Sequence, residues 1–267
     1  MLGSGKIQTR LEWEGKRTEV EKIKLPFQIV ETVNEPRTKT MDTFVLGTDK
    51  WYNMLIWGDN KLVMSSLLPE YAGKNDLIYI DPPFATCADF TTPIKIEDEE
   101  IVKEASGIEI RAYRDTWGQG LTSYLQMIYD RLVLMRELLS ERGSIYVHMD
   151  SHVGHYVKVL MDEIFGKENF QREIIWRIGW VSGYKTATEN WIRNHDTILY
   201  YTKSNDYIFN KLYIPHPPNY VRRGSDKPTG KGIPIEDVWG LFQEEGLTSI
   251  QIMSFSREKL GLPDPKT

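Results

Sequence analysis

Cysteine is nearly absent from these 267 residues. The single one, Cys87, excludes an internal disulfide and a cysteine-cluster zinc site, and it fits a reducing cytoplasm. Long hydrophobic runs are missing as well. None approaches the roughly 18 residues that a membrane span requires, and the amino terminus carries no secretory pattern. Basic charge is short overall, with 33 Lys and Arg against 38 Asp and Glu, a net charge of −5. Taken whole, that balance speaks against nucleic-acid binding. Divided, it does not. Residues 172–231 hold 10 basic and 5 acidic side chains, leaving 23 and 33 elsewhere. The same stretch carries Trp176, Trp180, Tyr184, Trp191, Tyr200, Tyr201, Tyr207, Phe209, Tyr213 and Tyr220. Basic and aromatic residues interleaved are the composition of a nucleic-acid surface, although Tyr200 and Tyr201 read better as core strand residues.

What is present is an ordinary globular composition, 40% hydrophobic and 27% charged, on a chain long enough to bury a substantial core. Short strands are expected at residues 9–13 and 27–30, within a charge-rich arm over residues 1–50. Residues 51–57 read as a strand, followed by a helix from Gly58-Asp59-Asn60 through Leu68, a turn, and a strand at 76–80. Residues 85–120 show no sustained period and contain the acidic run Glu97 to Glu100, so a long irregular loop is expected there. From Ser123 a helical period is clear in Leu125, Ile128, Tyr129, Leu132, Met135 and Leu139. Ile145-Tyr-Val147 makes a short strand. Asp150 or Ser151 is placed to cap a helix whose apolar face is Val153, Tyr156, Val157, Leu160, Met161 and Ile164, with Gly166 past its end. Residues 173–178 and 197–202 read as two more strands, and residues 210–232 as loop. No internal repeat is found. Strand and helix alternating in this way imply an α/β doubly wound sheet.

Asp81-Pro82-Pro83-Phe84 closes the strand at 76–80, at the kind of strand end where such sheets bind ligands. The residue types suit one task, which is making an exocyclic base amine nucleophilic. That amine is a poor nucleophile because its lone pair is delocalised into the ring. Asp81 can accept one amine hydrogen and the Pro82 carbonyl the other, drawing the nitrogen toward tetrahedral geometry. Consecutive prolines offer carbonyls and no N–H. Phe84 supplies a flat face for a base taken out of its stack, worth about 1–3 kcal/mol. The plainer reading is a rigid turn after a solvated Asp.

On these motifs the chain resembles the β-group of DNA amino-methyltransferases, above all the modification (Mod) subunits of type III restriction systems. The matching residues are Trp57-Gly-Asp-Asn60, Tyr79-Ile-Asp-Pro-Pro-Phe84 with Ala88-Asp-Phe90, and Arg131-Leu-x-Leu-Met-Arg136. Gly143-Ser-Ile-Tyr-Val-His-Met-Asp150, Phe165-Gly-Lys-Glu-Asn-Phe170 and Asn194-His-Asp-Thr-Ile-Leu-Tyr-Tyr-Thr-Lys203 continue the series in family order. The resemblance implies a Rossmann-like doubly wound sheet of a class I S-adenosylmethionine-dependent methyltransferase, without a metal. It implies that Asp81, Pro82, Pro83 and Phe84 are catalytic. It places Asp59, Asn60 and Asp81 at the cofactor, with a helix N-cap as the other reading of Asp59. Phe90 and His195 fall at the base pocket, with a structural histidine as the other reading of His195. Arg172, Arg177, Lys185, Arg193, Arg222 and Arg223 are the candidate DNA contacts. An Asp start to the motif followed by Phe favours adenine N6 over cytosine N4.

The expected division is an arm (1–50), a catalytic part (51–170), further strands with a basic and aromatic target-recognition region (171–260), and an aberrant tail (261–267). The departure from the family lies in that tail. Relatives continue through Gly-Tyr-Pro-Thr-Gln-Lys-Pro-Glu into a Phe-x-Gly-x-Gly turn that holds the cofactor's methionine part. Here Gly261 is followed by Leu-Pro-Asp-Pro-Lys-Thr267. A one-base frame change converts suitable codons for these last residues back into Tyr-Pro-Thr-Gln-Lys-Pro, so an overlapping downstream frame is expected to hold the rest. The sheet is then incomplete in this chain, lacking its central cofactor-binding strands. The expected partners are double-stranded DNA, a complementing chain with the Phe-x-Gly-x-Gly motif and a restriction subunit, in the cytoplasm and away from membranes. Methylation of protein glutamine or RNA, and an inactive DNA-binding remnant, are the competing readings.

Overall fold

The computed structural model describes residues 9–31, 53–83, 92–96, 99–103, 120–177, 189–216 and 230–239. Its centre is a five-stranded sheet in the order β1-β4-β6-β5-β9. The strands are β1 (Asn75–Ile80), β4 (Leu139–Met149), β5 (Phe170–Arg177), β6 (His195–Thr202) and β9 (Val238–Trp239). β1 runs parallel to β4, β6 antiparallel to both β4 and β5, and β9 parallel to β5. The helices are α1 (Asn60–Tyr71), α2 (Leu121–Leu138) and α3 (Gly154–Phe165). Among the described residues no helix is long and apolar enough to cross a membrane.

Alternation along the strands sorts the side chains onto two faces. Ile145, Val147 and Met149 of β4 join Leu199 and Tyr201 of β6 in the main core, with Ile78 and Ile80 of β1 against it. Leu125, Ile128, Tyr129, Leu132 and Met135 of α2, Val157, Leu160 and Met161 of α3, and Met64 of α1 fill the same core. Each such side chain contributes about 1.5–3 kcal/mol by leaving water. The opposite face carries Ile174, Ile198, Tyr200, Tyr146, Trp176 and Trp239. There Tyr146 and Tyr200 stack at 4.5 Å. Tyr200 and Tyr201 are thus buried on opposite faces, as core residues.

Gly143 shows why β4 runs from Leu139 and not only through 145–147. A Cβ at this position would stand 2.7 Å from the Leu139 side chain and 2.8 Å from the Asn75 carbonyl oxygen, so only glycine lets β4 start beside β1. The other end of the sheet corrects a second expectation. Neither Asp150 nor Ser151 caps α3, whose N-cap is Val153. The Asp150 carboxylate instead takes the backbone N–H of His152 at 3.1 Å and meets its Nδ1 at 2.6 Å.

Three expected strands do not form over their described residues, 51–52 of the strand at 51–57 lying outside them. Residues 53–57 are irregular, with Leu55 and Trp57 almost wholly exposed; a strand needs a partner, and none stands beside them among the described residues. The stretches at 9–13 and 27–30 are irregular too. The arm is held instead by side chains. The amide of Gln126 brackets the Arg17 backbone, accepting from its N–H and donating to its carbonyl, each at 2.9 Å. The Lys16 ammonium is buried against Glu163 at 2.7 Å, and Ser66 Oγ accepts from Leu25 N–H. Conversely, part of the expected loop at 85–120 is a hairpin, β2 (Thr92–Ile96) with β3 (Glu99–Lys103). Its β-branched residues Ile94, Ile96, Ile101 and Val102 favour strands despite the acidic run. The loop at 210–232 likewise contains β7 (Tyr213–Ile214), paired with β8 (Ile233–Pro234).

Candidate active site

The parallel register of β1 with β4 sets Ile80 beside Val147, which brings Asp81 next to His148. The antiparallel register of β6 sets His148 opposite Ile198 and Met149 opposite Thr197, so β6 begins at this same end of the sheet. β5 ends there too, with Trp176 opposite Asp196 and Arg177 opposite His195. One end of the sheet therefore gathers Asp81, His148, Asp150, Asp196, His195 and Arg177.

At the centre of this group His148 is flanked by two carboxylates. Its Nδ1 lies 3.6 Å from Asp81 Oδ1 and its Nε2 3.4 Å from Asp196 Oδ2. The Tyr79 hydroxyl is 3.2 Å from the same Nδ1, and the Trp176 ring tilts against the imidazole at 5.3 Å between centroids. Exposure separates the roles. The Asp81 side chain is 39% exposed, against 7% for His148 and 13% for Asp196, so Asp81 meets solvent while the other two stand behind it. Burial lowers the pKa of His148; Asp81 and Asp150 oppose this and Arg193 adds to it. Burial, with the Asp81 charge adding, raises the Tyr79 hydroxyl. Tyr124 of α2 is pushed up mainly by burial, then by Asp150 and Asp81. An exposed carboxylate at a strand end can accept a proton or an amine hydrogen, and the uncharged imidazole can take a proton further.

The remaining expected site residues fall in several places. Pro82 and Pro83 follow Asp81 half-buried. Phe84, Phe90, Lys185, Arg222 and Arg223 lie outside the described residues. His195 and Arg177 are exposed at the same sheet end as Asp81, and Arg193 pairs with Asp196. Trp191, on the segment leading into β6, is 97% exposed. Arg172 sits farther back along β5, opposite Tyr200, with its guanidinium 3.7 Å from Asp237.

Asp59 is the N-cap of α1, accepting from the N–H groups of Lys61 at 2.8 Å and Leu62 at 3.2 Å. Its other oxygen lies 3.3 Å from the Arg131 guanidinium, which also donates to the Asn60 side-chain oxygen. Arg131 lies seven residues, roughly 10 Å along the axis of α2, from Tyr124, the helix residue that feels the Asp81 charge. Even so engaged, the Asp59 carboxylate stays 52% exposed and open to a hydroxyl group, whereas the Asn60 oxygen is committed to Arg131.

The sequence pattern gave no site role to His148, Asp196 or Tyr79, and it counted Trp176 only among the aromatics of a nucleic-acid surface. The available signal was a lone histidine in the apolar run from Ile145 to Met149, one residue past the position that pairs with the end of β1.

The family model for DNA methylases (N6_N4_Mtase) matches residues 75–260, well over half of the chain. Among curated proteins, the Type II methyltransferase M.EcaI of Enterobacter cloacae is 34% identical over 181 residues, covering 67% of this chain and 36% of that protein. The Type III restriction-modification enzyme EcoP15I Mod subunit of Escherichia coli is 31% identical over 172 residues, covering 60% of this chain and 25% of that protein. The chain thus spans about a quarter to a third of the length of these relatives. A solved structure of an M1.HpyAVI-SAM complex aligns at a TM-score of 0.33 with 11% identity, covering 62% of this chain and 61% of that one.

Proposed function

The chain belongs to the DNA methylase family, and from that premise we propose that it carries the amine-activating and target-reading part of a site-specific DNA methyltransferase acting on adenine N6. The observation that carries this reading is the Asp81 carboxylate, 39% exposed at the end of β1 and directly followed by Pro82 and Pro83. Asp81 accepts one amine hydrogen and the Pro82 carbonyl the other. The lone pair is thereby localised on nitrogen, with the base taken out of the duplex and stacked on Phe84.

The methyl donor in this reading is S-adenosylmethionine, named with M1.HpyAVI in that complex. When bound it supplies an electrophilic methyl group on a sulfonium. Asp59 suits a contact to its adenosine, because the carboxylate remains half exposed while capping α1. Asn60 is less suited, since Arg131 holds its oxygen. The rest of the cofactor site falls, in this reading, to a segment or chain pairing with the second edge of β1. Among the described residues β1 pairs only with β4, and it leaves Leu77 63% and Tyr79 54% exposed. An open apolar strand of this kind is a template for a further strand.

For DNA, the exposed Trp191 and Arg177 and the half-exposed Arg193 stand at the sheet end that holds Asp81. They suit stacking and phosphate contact. Arg172, drawn toward Asp237, contributes less. A restriction subunit is a further partner of this reading, as in the system that the name of the EcoP15I relative describes.

The test is transfer of labelled methyl from S-adenosylmethionine to duplex DNA, with RNA and protein as controls, by the chain joined to the part that completes its cofactor site. N6-methyladenine in the digest supports the proposal. N4-methylcytosine would replace the target base, and no labelled DNA at all would end the reading.

A further inference from the structure

Resting on that reading, we infer that His148 is a positioning residue for Asp81, taking over the proton a base amine sheds and passing one to Asp196. Every methyl transfer to an amine has such a proton to place. As the nitrogen bonds to the incoming methyl and the carbon–sulfur bond of the sulfonium breaks with its electron pair left on sulfur, one N–H proton must leave. Asp81 is the first acceptor. A carboxyl group that kept the proton could no longer accept the amine hydrogen of the next substrate, so the site needs somewhere to send it.

The route is laid out in the sheet. Behind Asp81 stands His148 Nδ1 at 3.6 Å, and on the far side of the ring Nε2 faces Asp196 Oδ2 at 3.4 Å. The relay takes the tautomer with the ring proton on Nε2, toward Asp196; in that tautomer the Tyr79 hydroxyl, 3.2 Å from Nδ1, is the donor of their contact. One proton then moves in and one moves out: from the amine to Asp81, from Asp81 to Nδ1, and from Nε2 to Asp196; before the next turnover the ring regains its starting tautomer, Nδ1 losing its proton to water and Nε2 taking one from it. The Asp196 side chain, 13% exposed and paired with Arg193, releases the proton to water. Trp176 closes the ring off on one side.

Charged and titratable neighbours among the described residues enter this balance. Asp81 and Tyr79 face the ring from β1, Asp150 from the end of β4, Asp196 from β6, and Arg193 from the segment before β6. Burial outweighs the carboxylates, so the imidazole rests uncharged near neutrality and is free to accept. Once protonated, it has an acid partner on each nitrogen. If solvent protonates it beforehand, Nδ1 is filled and Asp81 is drawn onto the imidazolium, so the site stalls in acid.

The experiment has two arms. In the full chain, imidazole-nitrogen NMR follows His148 through pH in the wild type, Asp81→Asn and Asp196→Asn. Removing either carboxylate lowers the His148 midpoint, by about one unit for Asp81. In the assembly active on DNA, His148→Gln, which keeps the volume, lowers kcat about tenfold or more with KM within about twofold, and it removes the acid limb of the kcat profile. Asp196→Asn, which leaves the imidazole in place, lowers kcat in the same direction. A His148 midpoint unmoved by Asp81→Asn, or a His148→Gln enzyme whose kcat and pH profile superimpose on wild type, overturns the inference while leaving the methyltransferase reading intact. A wild-type assembly that methylates no base overturns both.

Discussion

Arg131, midway along α2, lies 3.3 Å from the carboxylate of Asp59, so the residue that caps α1 also ties it to its neighbouring helix. One side chain therefore has a structural duty and, in the proposed function, a cofactor contact. The two can be separated. Asp59→Asn keeps an oxygen for the N–H groups of Lys61 and Leu62 and is expected to leave stability nearly unchanged, while weakening the cofactor. Asp59→Ala loses the cap and is expected to cost about 1 kcal/mol. Urea unfolding and cofactor titration, run on both variants, check this.

Asp81→Ala is expected to lower methyl transfer about 10²–10⁴-fold with little change in stability, because its carboxylate is partly exposed and bears on chemistry more than on packing. Methyl-group incorporation beside an unfolding curve tests both halves. Unreduced incorporation would remove the basis of the proposed function.

Gly143→Ala places a methyl group against the Leu139 side chain and the Asn75 carbonyl. Backbone cannot step aside as a flexible side chain can, so a loss of about 1–3 kcal/mol is expected. The denaturation midpoint reports it, and a midpoint equal to wild type would contradict the close approach of β1 and β4.

Acid is expected to destabilise the fold through His148. Its folded pKa is held below the ordinary 6.5 by burial, so the unfolded chain binds the proton first. Stability is therefore full well above pH 6.5 and declines as pH falls from there toward the depressed folded value. The fall between about pH 7.5 and pH 5.5 should be smaller in His148→Gln. Urea titrations at the two pH values measure the difference.

Among the described residues β1 pairs only with β4, and Leu77 and Tyr79 face solvent beside its other edge, so the chain is expected to self-associate when nothing pairs there. Leu77→Lys should shift sedimentation toward the monomer. A wild-type chain that sediments as a monomer at all concentrations would argue against an available edge.

Much of the fold was legible because it rests on local periods. The repeat of Leu125, Ile128, Tyr129 and Leu132 marks α2, and Val157, Leu160 and Met161 mark α3, wherever those helices later pack. Gly166, with φ of 92°, ends α3 as read. The misreadings concern partners. Residues 53–57 have the composition of a strand, and composition says nothing of whether a neighbour stands alongside. The arm found its hydrogen bonds on helix side chains such as Gln126 and Ser66, which no local pattern announces.

By itself, the order of residues determined that Asp81 ends a strand and is followed by two carbonyl-bearing prolines, because that chemistry is contained in four adjacent positions. Only the tertiary structure decided what stands behind it. His148 is 67 residues from Asp81 and Asp196 another 48 further on. Their meeting depends on the parallel register of β1 with β4 and the antiparallel register of β4 with β6. A register shifted by one residue would turn His148 to the opposite face, because side chains alternate along a strand.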